Sequence, residues 1–95
     1  MIEILYYGNI RAAAGKSGEE IDSLPGATVF QVLQGLSGAY GDNFRSEIFD
    51  ESGSGFRDDL MIAVNEAVIS RENVAGTVLE PGDALAVYPI FPGGG

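Results

Sequence analysis

Three short segments inside the chain contain residue types that could bind a phosphate, a calcium ion or a proton. The first is Gly15-Lys16-Ser17, which matches the end of a phosphate-binding loop. The complete loop also needs a glycine where the chain has Ile10, and a helix directly after the serine. The residues that follow, "GEEIDSL", instead have an extended and half-polar pattern. We therefore interpret this segment as a polar turn.

The second segment, "DESGSGFRDDLM", has part of the pattern of a calcium-binding loop. Asp50, Ser52 and Ser54 occupy ligand positions, and Gly55 occupies the position of the sharp turn. The final position requires a bidentate glutamate, and the chain has Met61 there. We interpret the segment as a polar surface loop and predict no metal site.

The third segment is Asp58-Asp59, because paired carboxylates can transfer protons. Adjacent side chains usually point apart, so we interpret this pair as charged loop residues that lead into a strand. The chain contains no histidine and no cysteine. This composition excludes histidine-based triads, thiol nucleophiles and the usual zinc and iron–sulfur centres. We therefore expect no catalytic side chain in this protein.

The final segment, "PIFPGGG", could act through its terminal carboxylate instead of through a side chain. Pro89 and Pro92 restrict the backbone at its start, and its last three residues lack a Cβ that would block a narrow channel. From Phe91 to Gly95 an extended chain reaches about 17 Å. One interpretation is a frayed terminus without function, which is common. The other is a tail that carries its terminal carboxylate into the active site of another protein.

The charge of the chain restricts its partners. Fourteen acidic residues face five basic ones, for a net charge of -9. We expect no nucleic-acid binding, because such a chain repels phosphate backbones, and we expect partners with a basic surface. The acidic residues could equally serve solubility alone. The start "MIEILYYG" lacks a basic leader region and the apolar run "ALAVYPIF" is too short to span a bilayer, so we expect a cytoplasmic protein without membrane contact.

Apolar patterns predict the strands that position these segments. We predict strands at "IEILYY", "EEIDSL", "LMIAVN", "EAVIS" and "ALAVYP". The first has apolar side chains on both faces, which indicates an interior strand. A hairpin turn is predicted at Asn65-Glu66, and a tight turn at Pro81-Gly82-Asp83.

One helix is clearly predicted at "ATVFQVLQGLSGAYG". Its apolar face consists of Val29, Val32, Leu33, Leu36 and Tyr40. Thr28 and Gln31 have the spacing of a capping box, and Gly41 is expected to end the helix in a left-handed conformation. Gly35 and Gly38 lie inside the helix, which we explain by close approach to a sheet.

The remaining segment, residues 42–59, is polar and rich in glycine and serine, so we predict a long surface loop with at most a helical turn at "FRSEIF". The resulting order β-β-α-β-β-β predicts one α+β domain with a single main helix. We assign residues 1–91 to this domain and residues 92–95 to a flexible glycine tail.

Several patches of the sequence resemble the ubiquitin-like β-grasp sulfur carriers, which include the small subunit of molybdopterin synthase (MoaD) and the thiamine sulfur carrier (ThiS). The patches are "IEILYYGNIRAAAGK", "ATVFQVLQGL", "AVNEAV" and, most specific, "LEPGDALAVYPIFPGGG". The resemblance covers nearly the whole chain. It implies a mixed sheet packed on one main helix, and the long segment at 42–59 is more similar to the pterin-type carriers.

The resemblance also implies a mechanism. A separate adenylating enzyme of the MoeB/ThiF type would activate the carboxylate of Gly95 with ATP, and sulfur would then convert it to a thiocarboxylate. The tail would enter the large subunit of molybdopterin synthase (MoaE-like) and donate sulfur to a pterin precursor for a molybdenum or tungsten cofactor. No cofactor would be bound permanently. The partner-binding residues would be Ile90, Phe91, Pro92 and Gly93.

Two departures from the family pattern leave alternatives open. The family usually ends in two glycines, and this chain has Gly93-Gly94-Gly95, so trimming could make Gly94 the reactive residue. Pro92 stands where the family often has a small residue. Alternative functions are a ubiquitin-like modifier conjugated to lysines, a sulfur carrier for thiamine or tRNA thiolation, and a binding module without tail chemistry.

Overall fold

The computed structural model describes residues 1–22 and 26–90, which form a five-stranded mixed sheet with helices packed against it. The elements are β1 (Ile2–Tyr6), α1 (Gly8–Ala14), β2 (Gly18–Ile21), α2 (Val29–Tyr40), α3 (Asp42–Ile48), β3 (Leu60–Val64), β4 (Ala67–Val68), α4 (Arg71–Val74) and β5 (Ala84–Pro89). All five predicted strands are present and in the predicted order.

The sheet has the strand order β2-β1-β5-β3-β4. The two central strands β1 and β5 run parallel, and every other neighbouring pair is antiparallel. β1 is therefore an interior strand, as its two apolar faces predicted. Because β1 and β5 are parallel, the last strand ends beside the end of the first one.

One face of the sheet forms the core with α2. Residues that alternate along the strands point into it, since side chains of a strand alternate between two faces. The buried core residues of these elements are Ile2, Ile4, Tyr6, Leu60, Ile62, Leu85, Val87, Val29, Val32, Leu33 and Leu36. The predicted architecture, a mixed sheet packed on one main helix, is confirmed.

The start of α2 confirms the predicted capping box. The Thr28 hydroxyl oxygen accepts a hydrogen bond from the Gln31 amide at 3.2 Å, and the Gln31 side-chain oxygen accepts one from the Thr28 amide at 3.0 Å. The amides of the N-cap residue and of Gln31, which have no backbone partner within the helix, are satisfied in this way. Four of the five predicted apolar positions are buried, and Tyr40 is half-buried.

Two predictions about glycines of α2 are wrong. Gly35 and Gly38 do not approach the sheet, because both are exposed and no atom lies within 4 Å of the position of a Cβ on either residue. Gly41 ends the helix at φ 95° and ψ -169°, which is not the left-handed helical conformation. Its extended ψ redirects the chain, and α3 begins at the next residue.

The predicted surface loop at residues 42–59 is wrong over its first half, which forms α3. Phe44 and Ile48 lie one helical turn apart, and both are fully buried between α3 and the core. Phe49 follows in the core and stacks on Phe56 at 5.4 Å between ring centroids. The few apolar residues of this polar segment therefore determine its structure, and only residues 50–59 remain a loop.

The two predicted turns are present and contact each other. Asn65 and Glu66 have positive φ values of 52° and 71°, as a tight two-residue hairpin turn requires. The Asn65 side chain donates a hydrogen bond to the Asp83 carboxylate at 2.9 Å and accepts one from the Ala84 amide at 2.9 Å. The β3–β4 turn thereby holds the start of β5.

The connectors contain two short helices, α1 and α4, beyond the main helix that was predicted. None of the helices in residues 1–22 and 26–90 is long and apolar enough to cross a membrane.

Candidate functional site

The candidate site is the place where β5 delivers the chain to its glycine-rich end. β5 is paired with β1 on one side and with β3 on the other. Pro89, the last residue of β5, lies opposite Leu60. Beyond it, the Ile90 amide donates a hydrogen bond to the Asp59 carbonyl at 2.7 Å. The backbone is thus held by the domain up to Ile90, one residue past the end of the strand.

Pro89 and Ile90 form the root of the tail, and a close contact between α1 and β5 supports it. Gly8 begins α1 at φ 57°, and a Cβ on it would lie 2.5 Å from Cγ of Pro89. That distance is far shorter than a normal carbon–carbon contact of 3.5–4.0 Å. Only glycine combines this backbone conformation with this approach. Gly8 therefore allows the Pro89 ring to pack directly against the start of α1.

Exposed apolar side chains surround the root. The rings of Tyr7 and Tyr88 lie 4.9 Å apart between centroids, and Tyr7 is 44% exposed. Ile90 is 43% exposed, so its side chain is accessible as the prediction of a partner contact requires. Tyr7 and Ile90 thus give the end of β5 an exposed apolar surface that the acidic composition of the chain did not indicate.

The acidic pair Asp58-Asp59 also lies at the root, directly before β3. The Asp59 carboxylate accepts two hydrogen bonds from Arg57, from Nε and Nη2, each at 2.8 Å. The guanidinium lowers the pKa of Asp59 below its ordinary value. Arg57 also donates to the Ser46 carbonyl at 2.8 Å, which ties the loop to α3. Asp59 is thus an ionised structural group, and the prediction of charged residues entering a strand is confirmed.

The segment Gly15-Lys16-Ser17, which matches the end of a phosphate-binding loop, is a polar turn, as predicted. Gly15 ends α1 in a left-handed conformation at φ 78°, and Lys16-Ser17 leads into strand β2 rather than into a helix. No first-turn amides of a helix are therefore presented to a phosphate at this position.

The segment that begins at Asp50 and has part of the pattern of a calcium-binding loop is a turn closed by its own hydrogen bonds. The Asp50 carboxylate accepts hydrogen bonds from the Ser52 hydroxyl at 2.5 Å and from the Gly53 amide at 3.1 Å. Its Oδ1 oxygen is thereby engaged within the loop. In the part of the chain that the structure describes, no three His, Cys, Asp or Glu residues are grouped so that they could hold a metal ion.

The predicted reactive and partner-binding residues beyond Ile90, namely Phe91, Pro92, Gly93, Gly94 and Gly95, lie outside the described residues. Their roles stay predictions. The sequence analysis did not identify Gly8, Tyr7 or the Asp59 carbonyl as parts of the site. Gly8 directly after a strand was a visible signal, but its contact with Pro89 requires residues 81 positions apart to meet, by the numbering.

Comparison with known proteins identifies the family. The ThiS family model matches residues 4–94. SAMP1 from Haloferax volcanii, a small archaeal modifier protein, has 26% sequence identity and a TM-score of 0.81, with 98% of both chains covered. A putative molybdopterin converting factor, subunit 1, from Pyrococcus furiosus has 28% identity and a TM-score of 0.73, with 95% of this chain and 97% of that chain covered.

A third structure shows the same fold at lower identity. It is that of the BexX/CysO complex from Amycolatopsis orientalis, with 17% identity, a TM-score of 0.77, and coverage of 99% of this chain and 100% of that chain. No match to a curated protein sequence is found. The family match includes most of the glycine segment, and the similar structures cover the fold from end to end. The chain belongs to the ThiS family of ubiquitin-like β-grasp sulfur carriers and modifiers.

Proposed function

We propose that the chain is a sulfur carrier in the biosynthesis of a molybdenum or tungsten pterin cofactor, and that the carboxylate of Gly95 is its reactive group. The observation that carries this proposal is the family match, which extends through the glycine segment to residue 94. The likeness to the putative molybdopterin converting factor subunit at 28% identity favours the pterin branch. Gly94 would replace Gly95 if the chain is trimmed by one residue.

The proposed reaction takes place on partner proteins. On an adenylating partner of the MoeB/ThiF type, an oxygen of the Gly95 carboxylate attacks the α-phosphorus of ATP and pyrophosphate leaves. Hydrosulfide, as the sulfur donor, then attacks the carbonyl carbon and a C–S bond forms. The bond to the phosphate oxygen breaks, AMP leaves with the electron pair, and loss of the remaining proton gives the thiocarboxylate. A MoaE-like large subunit would take up this sulfur for the pterin. The chain itself would bind no permanent cofactor.

The described geometry supports a positioning role of the domain in the proposed reaction. The root is held by the Ile90–Asp59 hydrogen bond and by the Gly8–Pro89 contact. Five residues follow Ile90, and an extended segment of that length reaches about 17 Å. Such a reach suits an active site buried in a partner, and an exposed Ile90 at the root suits an apolar contact at its entrance.

The test is intact-mass spectrometry of the purified chain after incubation with an adenylating enzyme, ATP and a sulfur donor. The expected product has one oxygen replaced by sulfur, and deletion of Gly95 should abolish it. A product that persists without Gly95 would move the reactive group to Gly94. A chain with a bulky residue added after Gly95 is the matched control, because it keeps the domain and blocks the end. Thiocarboxylate that a MoaE-like subunit does not consume would contradict the pterin assignment.

A second candidate function is conjugation to lysines of other proteins. The likeness to the small archaeal modifier protein at 26% identity over 98% of both chains favours it specifically. Activation would be the same, and a lysine amine would replace sulfur as the attacking group. Affinity purification of tagged chain from cells should then yield branched peptides that carry its C-terminal residues on lysine. Their absence, together with thiocarboxylate formation, would leave the sulfur carrier alone.

A further inference from the structure

The chain contains one lysine, Lys16, and its other four basic side chains are arginines, among five Lys and Arg in total. Arginine remains protonated in proteins and does not attack an acyl group under ordinary conditions. Lys16 Nζ is therefore the single side-chain amine that could capture an activated acyl group of this protein, whether from its own tail or from that of a second copy.

Lys16 lies at the end of the sheet where the tail leaves. The Tyr6 amide, at the end of β1, donates a hydrogen bond to the Ser17 carbonyl at 2.9 Å. Tyr6 also lies opposite Val87 of β5, two residues before Pro89. The start of β2 and the end of β5 are thus two strand spacings apart, about 10 Å. The five residues after Ile90 reach about 17 Å when extended, so their length allows contact with Lys16.

The amine of Lys16 is held by neighbouring groups. Nζ lies 3.5 Å from the Glu19 carboxylate and 5.3 Å from the centroid of the Tyr40 ring, and the Lys16 side chain is 42% exposed. The other Glu19 oxygen accepts hydrogen bonds from the Tyr6 hydroxyl at 2.6 Å and from the Tyr40 hydroxyl. The hydroxyls of Tyr6 and Tyr40 thus hold the Glu19 carboxylate in the position from which it pairs with Lys16.

These neighbours favour the ammonium form. The Tyr40 hydroxyl and the Glu19 carboxylate raise the pKa of Lys16 above its ordinary value. A cation over a tyrosine ring is stabilised further by the electrons of the ring face. An ammonium has no lone pair, so only the deprotonated fraction of Lys16 can attack a carbonyl carbon.

We propose that Lys16 is the self-acceptor site of this chain, and that Glu19 and Tyr40 restrain it so that the activated tail reacts with its partner instead of with Lys16. The inference rests on the proposed activation of the terminal carboxylate by ATP. In the self-acylation that Glu19 and Tyr40 would restrain, neutral Nζ of Lys16 attacks the carbonyl carbon of the acyl adenylate and a C–N bond forms. The bond from carbon to the phosphate oxygen breaks, AMP leaves with the electron pair, and the amine proton passes to water.

The restraint can be tested without any enzyme. The folded chain is treated at neutral pH with N-hydroxysuccinimide acetate, and acetylation of Lys16 is followed by peptide mass spectrometry, relative to the α-amine of the same molecules. In Glu19→Gln we expect Lys16 to react about two- to five-fold faster than in the wild type, as the loss of a partly exposed ion pair implies. The matched control is Glu20→Gln, which removes an exposed acid of the same strand and should react at the wild-type rate.

Tyr40→Phe serves as a second variant, because it keeps the ring and the Glu19 carboxylate and removes only the hydroxyl. It should also increase Lys16 acetylation. Thermal unfolding of each variant checks that the domain is folded. Equal Lys16 rates in the wild type, Glu19→Gln and Tyr40→Phe would overturn the restraint.

The acceptor itself is tested with an adenylating enzyme and ATP in the absence of a sulfur donor. We expect self-linked products, cyclic or dimeric by mass, to be rare in the wild type, more abundant in Glu19→Gln and absent in Lys16→Arg. Self-linked products that persist in Lys16→Arg, or that do not increase in Glu19→Gln, would overturn the proposal. If no chain is adenylated at all, the proposed function fails, while the acetylation experiment still decides whether Lys16 is restrained.

Discussion

At the scale of single residues, Gly8 controls how closely α1 approaches the end of β5. Its positive φ is a conformation that other residues rarely adopt, and its missing Cβ leaves the space that Pro89 Cγ occupies. The tail root therefore depends on a residue that has no functional group of its own.

We predict that Gly8→Ala lowers the free energy of unfolding by about 1–3 kcal/mol, because the added methyl overlaps the Pro89 ring and alanine is strained at this φ. It should also speed hydrogen exchange at the Ile90 amide by displacing the root from Asp59. Urea unfolding and exchange mass spectrometry measure the two effects.

Gly35→Ala is the matched control for Gly8→Ala, because its Cβ meets no atom within 4 Å in the interior of α2. It should stabilise the domain by about 0.5–1 kcal/mol. If the two substitutions changed stability alike, the Gly8–Pro89 contact would not support the root.

Glu19 is the second residue whose role depends on its neighbours. Partial burial by itself would raise the pKa of Glu19, but hydrogen bonds from Tyr40 and Tyr6, and the nearby Lys16, lower it below its ordinary value. Burial and the bond to Glu19 in turn raise the pKa of Tyr6 well above its ordinary range. The buried Tyr6 hydroxyl is thus a permanent donor, and it joins β1 to β2 through side chains.

We predict that Glu19 makes the domain sensitive to acid. Its pKa is lower in the folded state, so its carboxylate contributes stability above the unfolded value of about 4.3, and this contribution is lost as pH falls through the folded pKa. Urea unfolding at about pH 6 and about pH 3 should show a stability difference between wild type and Glu19→Gln that shrinks at the lower pH. A stability difference for Glu19→Gln that stays constant between the two pH values would contradict the prediction.

At the scale of elements, the capping box defines where α2 begins. Thr28 satisfies the Gln31 amide, and it also lies in an isolated bridge with Val78, so the cap positions the helix relative to the connector that precedes β5. A local signal in four consecutive residues thereby has a tertiary consequence.

We predict that Thr28→Ala costs about 1 kcal/mol of unfolding free energy, because the Gln31 amide loses its acceptor. Thr28→Ser keeps the hydroxyl and should retain most of the stability. Chemical denaturation followed by circular dichroism measures both variants. Equal losses for alanine and serine would assign the effect to the lost methyl group rather than to the cap.

At the scale of the whole molecule, the net charge of -9 is the dominant feature. Among the described residues, the ion pairs Lys16–Glu19 and Arg57–Asp59 are both partly exposed, and their charges are already counted in this net value. The charge acts on encounters with partners rather than on the fold.

We predict that association with the proposed adenylating partner slows several-fold as salt is raised from about 0.05 M to about 0.5 M, since screening shortens the reach of the attraction. Dissociation should change much less. Stopped-flow measurements at several salt concentrations separate the two rates. Association that is independent of salt, or faster at high salt, would contradict a basic partner surface.

Much of the fold could be predicted because its signals are local. Apolar runs identified the strands, and the capping box and the hairpin turn at Asn65-Glu66 depend on residues adjacent in sequence. Predictions failed where distant partners decide the outcome. The segment at 42–49 is polar on average, yet Phe44 and Ile48 are drawn into the core and make it helical. The exposed positions of Gly35 and Gly38 follow from the apolar face of α2, because both lie on the opposite side of the helix, and the prediction of a close approach to the sheet did not use this periodicity.

The sequence by itself determined a small acidic α+β domain without histidine or cysteine, its strand order along the chain, and its glycine-rich end. Only the tertiary structure decided that β5 lies between β1 and β3, that Gly8 meets Pro89, and that Glu19 joins Tyr6, Tyr40 and Lys16. The physical reason is that backbone propensity and periodicity act over a few residues. Contacts between residues far apart in the chain arise only when burial of the apolar faces brings the elements together.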